Sequence, residues 1–294
     1  MKKKGLRTTL QIISLLGLSL SSLATYLFLA RDESLIVKSY EIETTKINKG
    51  ESFKIVSLSD YHNHGIKYKD ISLIDVISSE CPDAIVMTGD MIDSHTNEND
   101  FLELEKLVKG LFALGKPIFF ASGNHEADAP KEIRDRSYSI YKKYNVVSFN
   151  LSYPSAEIKK ESGEKIKLFG LDDPGLGEKD KTGLLKGSKI NEQGEKMILD
   201  DDEFNLLLSH RPYFFILAKK LGFDLTISGH THAGQINLFG YPLLSLPFTK
   251  YEQGSYLEEG KRLIISNGLG TSFYVPIRYK SPYSLLSITI KGTK

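Results

Sequence analysis

Residues 53–62 read FKIVSLSDYH, an apolar run of strand length that ends in an aspartate and, two residues later, a histidine. Asp60 and His62 therefore stand where a buried strand gives way to a loop. The same pattern returns along the chain. Residues 84–88 (AIVMT) run into Gly89-Asp90-Met91-Ile92-Asp93, and residues 117–121 lead to Gly123-Asn124-His125-Glu126. Residues 204–209 are followed by His210-Arg211, and residues 225–228 by Gly229-His230-Thr231-His232. Between the strands lie amphipathic stretches. Residues 70–79 carry Ile71, Ile74 and Ile77 on one helical face, and further helices are expected over 101–114 and 133–144. An edge strand is expected over 35–47, with the first buried strand at 53–59 and others at 146–150, 165–171, 262–266 and 284–290. This alternation predicts an α/β protein whose strand-end loops carry the chemistry.

Composition narrows that chemistry. The chain has 294 residues, 40% hydrophobic and 26% charged, which excludes bulk disorder, collagen-like repeats and a multi-span membrane protein. With 38 Lys and Arg against 37 Asp and Glu, it has no overall basic field to hold nucleic acid, and no nucleic-acid partner is expected. The single cysteine, Cys81, excludes an intrachain disulfide and any thiolate cluster. A metal here must be held by His, carboxylate or amide oxygen. Of the seven His, five fall directly after expected strands.

An isolated Asp-x-His carries little, since about 0.4 such pairs arise by chance in a chain of this composition. The ordered set of five segments carries the inference. Two divalent cations about 3.5 to 4 Å apart need a bridging carboxylate, because one imidazole cannot serve both. Asp90 is the natural bridge. Asp60, His62 and His232 can complete one site, and Asn124, His210 and His230 the other. Two carboxylates against two dications leave a charge of roughly +2, which attracts phosphate and acidifies bound water.

The ordered motifs DxH, GDxxD, GNHE, SHRP and GHTH, at Asp60, Gly89, Gly123, Ser209 and Gly229, resemble those of the calcineurin-like metallophosphoesterases. The residues after GHTH (Ala233-Gly234-Gln235), the stretch Gly170-Leu171-Asp172-Asp173-Pro174 and Asn267-Gly268-Leu269-Gly270 are similar to those of that family's membrane-associated bacterial subgroup. The resemblance implies two mixed β-sheets packed face to face and flanked by helices, a four-layer sandwich with a dimetal site at the sheet ends. It also implies a first metal on Asp60, His62, Asp90 and His232, and a second on Asp90, Asn124, His210 and His230. His125 would act as general acid or charge stabiliser, oriented by Asp93, while a metal-bridging hydroxide attacks phosphorus in line. Mixed imidazole and oxygen ligands suit Mn²⁺, Fe or Zn²⁺.

The N-terminus is of another kind. Lys2, Lys3, Lys4 and Arg7 precede an uncharged run over residues 8–30, which as a helix spans roughly 34 Å, enough for a hydrocarbon core of about 30 Å. The charge asymmetry places the N-terminus in the cytoplasm and the remainder outside. A cleaved signal peptide is the rival reading. Phe28, three residues before a cut after Ala30, and the length of the run favour an uncleaved signal anchor. The expected division is residues 1–33, a basic segment and single-pass anchor in the cell membrane, and residues 34–294, an extracytoplasmic catalytic domain.

Four polar residues near the motifs are candidates of lower rank. His64 and His95 are expected to be loop residues, His64 with some prospect of touching substrate. Arg211 is divided between a phosphate oxygen and a surface ion pair. Arg278 resembles a substrate-proximal position of the family, although Lys280-Ser281-Pro282-Tyr283 follows where a Pro-Glu pair is expected. Residues 173–202 read as a long surface loop. Residues 239–251, with Tyr241, Leu243, Leu244, Leu246, Phe248 and Tyr251, are either an apolar rim or buried packing. The resulting expectation is a membrane-anchored phosphoesterase acting on a phosphodiester or pyrophosphate, with a lipid-linked headgroup as one substrate class. The alternatives are a monoesterase for phosphoprotein or nucleotide, and a metal-stabilised binding protein.

Overall fold

The computed structural model describes residues 2–62, 71–150, 153–173, 197–239, 241–242, 250–271 and 276–294. His64, most of the 173–202 loop and Leu243 to Phe248 lie outside the described residues. In chain order the helices are α1 (Lys2–Leu29), α2 (Leu73–Ser79), α3 (Glu98–Ala113), α4 (Asn124–Asp128), α5 (Lys131–Lys143) and α6 (Phe215–Leu221). The first seven strands are β1 (Leu35–Thr44), β2 (Ser52–Leu58), β3 (Ala84–Thr88), β4 (Ile118–Ala121), β5 (Val147–Ser148), β6 (Ser155–Lys159) and β7 (Lys165–Leu171). The remaining seven are β8 (Phe204–Ser209), β9 (Leu225–Ser228), β10 (Asn237–Leu238), β11 (Tyr241–Pro242), β12 (Gly254–Glu258), β13 (Lys261–Ile265) and β14 (Tyr283–Gly292).

Two six-stranded mixed sheets result, in the orders β1-β14-β2-β3-β4-β5 and β12-β13-β9-β8-β7-β6. In the first, β2 through β5 are parallel and β14 runs antiparallel to β2. In the second, β7, β8, β9 and β13 are parallel, with antiparallel edges at β6 and β12. The central strands β3, β4, β8 and β9 are buried throughout because both their faces are covered. On β3, Ala84 and Val86 point into the core between the sheets, whereas Ile85 and Met87 pack under helices. Phe53 and Ile55 alternate in the same way with Val56 and Leu58 on β2, as do Ile264 and its neighbours Leu263 and Ile265 on β13. A register slip of one residue would exchange the two cores. Each fully buried Ile, Leu or Phe contributes roughly 1.5–3 kcal/mol.

The helices complete the outer layers. α3 begins at an Asn97 cap whose side chain accepts from the Asn99 and Asp100 N–H groups, while Asp100 accepts from the Asn97 N–H in return. Its buried stripe, Phe101, Leu104, Leu107, Val108 and Leu111, lies against the first sheet. α6 covers the second sheet through Phe215 and Ala218 and stops at Gly222 in the left-handed conformation. α2 is shorter than the expected 70–79. Ser72 caps it by accepting from the Asp75 N–H, which leaves Ile71 ahead of the helix and exposed, and only Ile77 of the expected face is fully buried.

α1 stands apart. It is a single helix whose apolar window, Gln11–Leu29, has a mean hydropathy of 1.9 and is long enough to cross a membrane. Its last turns meet the remainder of the chain. Leu27 packs with Ile236 and Tyr279, and the Tyr26 and Tyr279 hydroxyls lie 3.1 Å apart.

Candidate metal centre

Strands from both sheets bring the expected donors to one edge. Asp60 and His62 follow β2, Asp90 follows β3, and Asn124 and His125 follow β4; His210 follows β8, and His230 and His232 follow β9. These are the carboxyl ends of parallel strands. The loops tie one another: the Asp60 N–H donates to the Gly89 carbonyl (3.0 Å), the His62 N–H to the Asp90 carbonyl (3.1 Å) and the His230 N–H to Asp60 Oδ1 (2.8 Å).

The backbone is bent hard here. Asp60, His62, Asp90, His230 and His232 all have φ between +49° and +76°, the left-handed region that costs a non-glycine residue energy. Two glycines allow the close approach. A Cβ on Gly123 would collide with the Asp90 carboxylate, and one on Gly229 with Ser59 and Asp60.

Two donor groups form. In one, ligand atoms of Asp60, His62 and His232 lie within 4.8 Å of one another; in the other, those of Asp90, His210 and His230 do. Asp90 joins them, with its Oδ2 2.9 Å from His210 Nε2 and 3.9 Å from both His62 Nε2 and His125 Nε2. The Nε2 atoms of His62 and His232 face each other at 3.2 Å. That separation suits two nitrogens sharing one cation at bond lengths of about 2.0–2.1 Å. Asn124 Oδ1 is buried without a hydrogen-bond partner, a cost that a cation would relieve. The donors therefore fit a divalent-metal site.

Electrostatics point the same way. Burial opposes ionisation of Asp90, but His210, His125 and His62 overcome it and hold the carboxyl well below its usual range. Burial also opposes a charge on His210, yet Asp90, with Asp60 and Asp173, raises it to about 10. A field that pulls a proton onto a fully buried imidazole also favours a cation. Burial, opposed by Asp60 and reinforced by His62 and Arg278, lowers His232 to about 3; burial likewise lowers His230. Neutral imidazole is the form that ligates.

Surrounding residues aim these rings. His210 Nδ1 donates to the Thr88 carbonyl at 2.8 Å, leaving Nε2 to face Asp90. His62 Nδ1 lies 4.0 Å from Asp93 Oδ2, and Asp93, His62 and His125 form a third group within 4.8 Å. His62 meets His125 edge-on at 4.7 Å between centroids. The His125 side chain is 37% exposed, so it can reach a substrate at the mouth. His95 is exposed on the loop, its N–H donating to Asp93 Oδ1.

Three residues stand differently from their sequence-based reading. Arg211 is 1% exposed and makes a bidentate pair with Asp173, Nε to Oδ2 at 2.6 Å and Nη2 to Oδ1 at 3.1 Å. It is therefore neither a surface ion pair nor open to a phosphate. Arg278 is wholly buried, donating to the Gly270 and Asn267 carbonyls at 2.6 Å each and lying 3.1 Å from His232 Nδ1. Its Nη1 also donates to the His232 carbonyl at 3.4 Å, which holds that turn of backbone. Glu126, to which sequence reasoning gave no role, is buried and accepts N–H bonds from Asp90, Met91, Ile92 and Gly123, clasping the two loops. Its place at the third residue of α4, after a glycine cap, was the available signal.

A model of the calcineurin-like phosphoesterases matches residues 53–234. The chain belongs to that family. This metallophosphoesterase is 32% identical to an uncharacterized metallophosphoesterase of Aquifex aeolicus over 88% of its own length and 92% of the relative. It is 29% identical to the uncharacterized metallophosphoesterase YkuE of Bacillus subtilis, over 86% and 85%. It is also 25% identical to a transmembrane protein with metallophosphoesterase domain of Danio rerio, over 87% of this chain and 57% of that one. Among solved structures, a dimetal phosphatase from Danio rerio aligns with a TM-score of 0.47 at 15% identity, over 74% and 88% of the chains. Family membership implies a metal-dependent phosphoester hydrolase, of a kind that typically binds two divalent ions.

Proposed function

We propose that this metallophosphoesterase is a membrane-anchored dimetal enzyme hydrolysing a phosphodiester or pyrophosphate bond, with a lipid-linked substrate. Residues 1–33 are the cytoplasmic segment and signal anchor, and residues 34–294 the extracytoplasmic catalytic domain. The observation that carries the reading is the placement of Asp90 between two groups of His and carboxylate donors. Asp60, His62, Asp90 and His232 would hold one cation, and Asp90, Asn124, His210 and His230 the other. Two divalent cations (Mn²⁺, Fe or Zn²⁺) supply Lewis acidity toward phosphoryl oxygen and an acidified water.

The chain's residues do the remainder. His125, half-open at the mouth beside Asp90, hands a proton to the leaving oxygen. Asp93, whose carboxylate gathers with the His62 and His125 rings within 4.8 Å, orients His125. The packed walls around Asp60, Asp90 and His210 keep water from solvating the carboxylates, which strengthens their hold on the cations. The anchor motivates a substrate at the bilayer surface, and the family resemblance motivates the diester.

Turnover of a bis-aryl phosphate against a mono-aryl phosphate with added Mn²⁺ tests the reaction class, and strong preference for the monoester would overturn the diester assignment. Asp90→Asn should abolish metal-dependent turnover, and His125→Ala should slow it with metal content kept. Full activity in both variants would refute the site. Protease added outside intact cells should digest the domain; complete protection would refute the outward orientation.

A further inference from the structure

A short hairpin lies beside the end of α1. The hairpin of β10 and β11, in which Leu238 pairs with Tyr241, begins just after the turn that carries His232. Its base is fixed to the segment holding Arg278. Ile236 bridges to Tyr279, the Asn237 N–H donates to the Tyr279 carbonyl at 2.9 Å, and Asn237 Nδ2 donates to the Lys280 carbonyl at 3.0 Å. That segment is in turn fixed to α1. The Asp32 N–H donates to the Arg278 carbonyl at 2.7 Å, and Leu27 of α1 packs with Ile236 and Tyr279, with Leu238 against them.

The hairpin tip breaks two rules at once. Phe239 is 95% exposed and holds φ +52°, a conformation unfavourable for a bulky aromatic. Tyr241 is 76% exposed beside it. Tyr26 and Phe28 are exposed on the last turns of α1, with Arg31 over the Phe28 ring at 4.6 Å and Lys280 over the Tyr279 ring at 5.7 Å. Aromatic residues mixed with cations, ringing the end of an apolar helix, are what a membrane–water interface selects: amphipathic rings at headgroup depth, cations for anionic lipid.

We propose that the β10–β11 hairpin is a second membrane contact, with Phe239 and Tyr241 seated in the headgroup region of the bilayer that α1 spans. The donor groups around His232 then open toward the lipid surface and take phosphoesters carried in it. The inference rests on the reading of α1 as a membrane span. A bilayer is the partner the surface fits, because the patch continues the exposed apolar surface of α1.

The chain contains no tryptophan, so a single introduced one reports its own depth. In the full chain reconstituted into vesicles, Phe239→Trp should emit at blue-shifted wavelength and be quenched by lipids brominated near the headgroup. Leu20→Trp, in the middle of α1, should be quenched by lipids brominated deep in the chains. If the Leu20 probe is quenched and the Phe239 probe reads as water-exposed, the hairpin contact is overturned and the anchor stands. If neither is quenched, the anchor reading falls and the inference with it. Paired Phe239→Asp and Tyr241→Ser changes should lower turnover of a vesicle-borne phosphodiester by about tenfold, with hydrolysis of a soluble bis-aryl phosphate unchanged. Equal loss on both substrates, or on neither, would overturn the proposal.

Discussion

Replacing Glu126 by alanine would strand four buried donors. Its Oε2 accepts from the Asp90 and Gly123 N–H groups at 2.8 Å each, and its Oε1 from Met91 at 2.6 Å and Ile92 at 3.3 Å. A buried donor left without a partner costs about 1–3 kcal/mol. Water entering the vacated space brings each toward the lower figure, so the total expected is about 4 kcal/mol. For a domain of this size about 2–4 °C of melting temperature accompanies each kcal/mol, giving a fall of about 8–16 °C. Glutamine is not a gentle substitute, because its amide NH₂ replaces one oxygen and must face two N–H donors whichever way it turns. Glu126→Gln should therefore lose at least half as much as Glu126→Ala. The assay is thermal unfolding of the detergent-solubilised full chain with Mn²⁺ present, alongside metal content. A fall of under about 2 °C in Glu126→Ala would refute the clasp.

Arg278→Lys should weaken metal binding by about 10- to 100-fold, read by titration of the metal-free protein, because one ammonium cannot serve the Gly270, Asn267 and His232 carbonyls at once. Asp173→Ala leaves Arg211 buried without its counter-charge and should cost about 3–5 kcal/mol in denaturant unfolding. The double change with Arg211→Met should recover most of that loss, and no recovery would show that the pair does not act as a unit. Stripping metal from a site held at 100 times its dissociation constant should remove about 2.7 kcal/mol of stability, seen as a lower melting temperature that added Mn²⁺ restores.

Much of this was legible from sequence where burial leaves a mark. Strands β3, β7, β8 and β9 run over the residues read for them, because covered faces demand uninterrupted apolar side chains. β6 and β12 escaped notice: β6 buries only Ile158 and β12 buries no residue fully, so as sheet edges neither carries an apolar run. Val147–Ser148 is shorter than the 146–150 expected, and residues 45–47 drop out of the first strand. The donors were legible because their residue types and order are written locally. Their supports were not. Arg278 meets His232 across 46 positions, where the loop after β9 of the second sheet reaches the segment leading into β14 of the first, and Asp173 meets Arg211 across 38, at the ends of the neighbouring strands β7 and β8; neither pairing is local in sequence.

The place of β14 in the first sheet has a consequence for biogenesis. It lies between β1 and β2, parallel to one over ten residue pairs and antiparallel to the other, although it follows the other described strands in sequence. A chain emerging N-terminus first must hold a gap between its first two strands until residues 283–292 arrive, and such distant pairing is slow and exposed to misassociation. Arg278 and Ser281, which meet His232, arrive just ahead of that strand. Residues up to 292 must therefore have been made before the centre can be set. A chain ending before residue 283 is expected to be open to protease across β1 and β2 and poor in bound metal, so a C-terminal truncation would silence the enzyme without touching one donor.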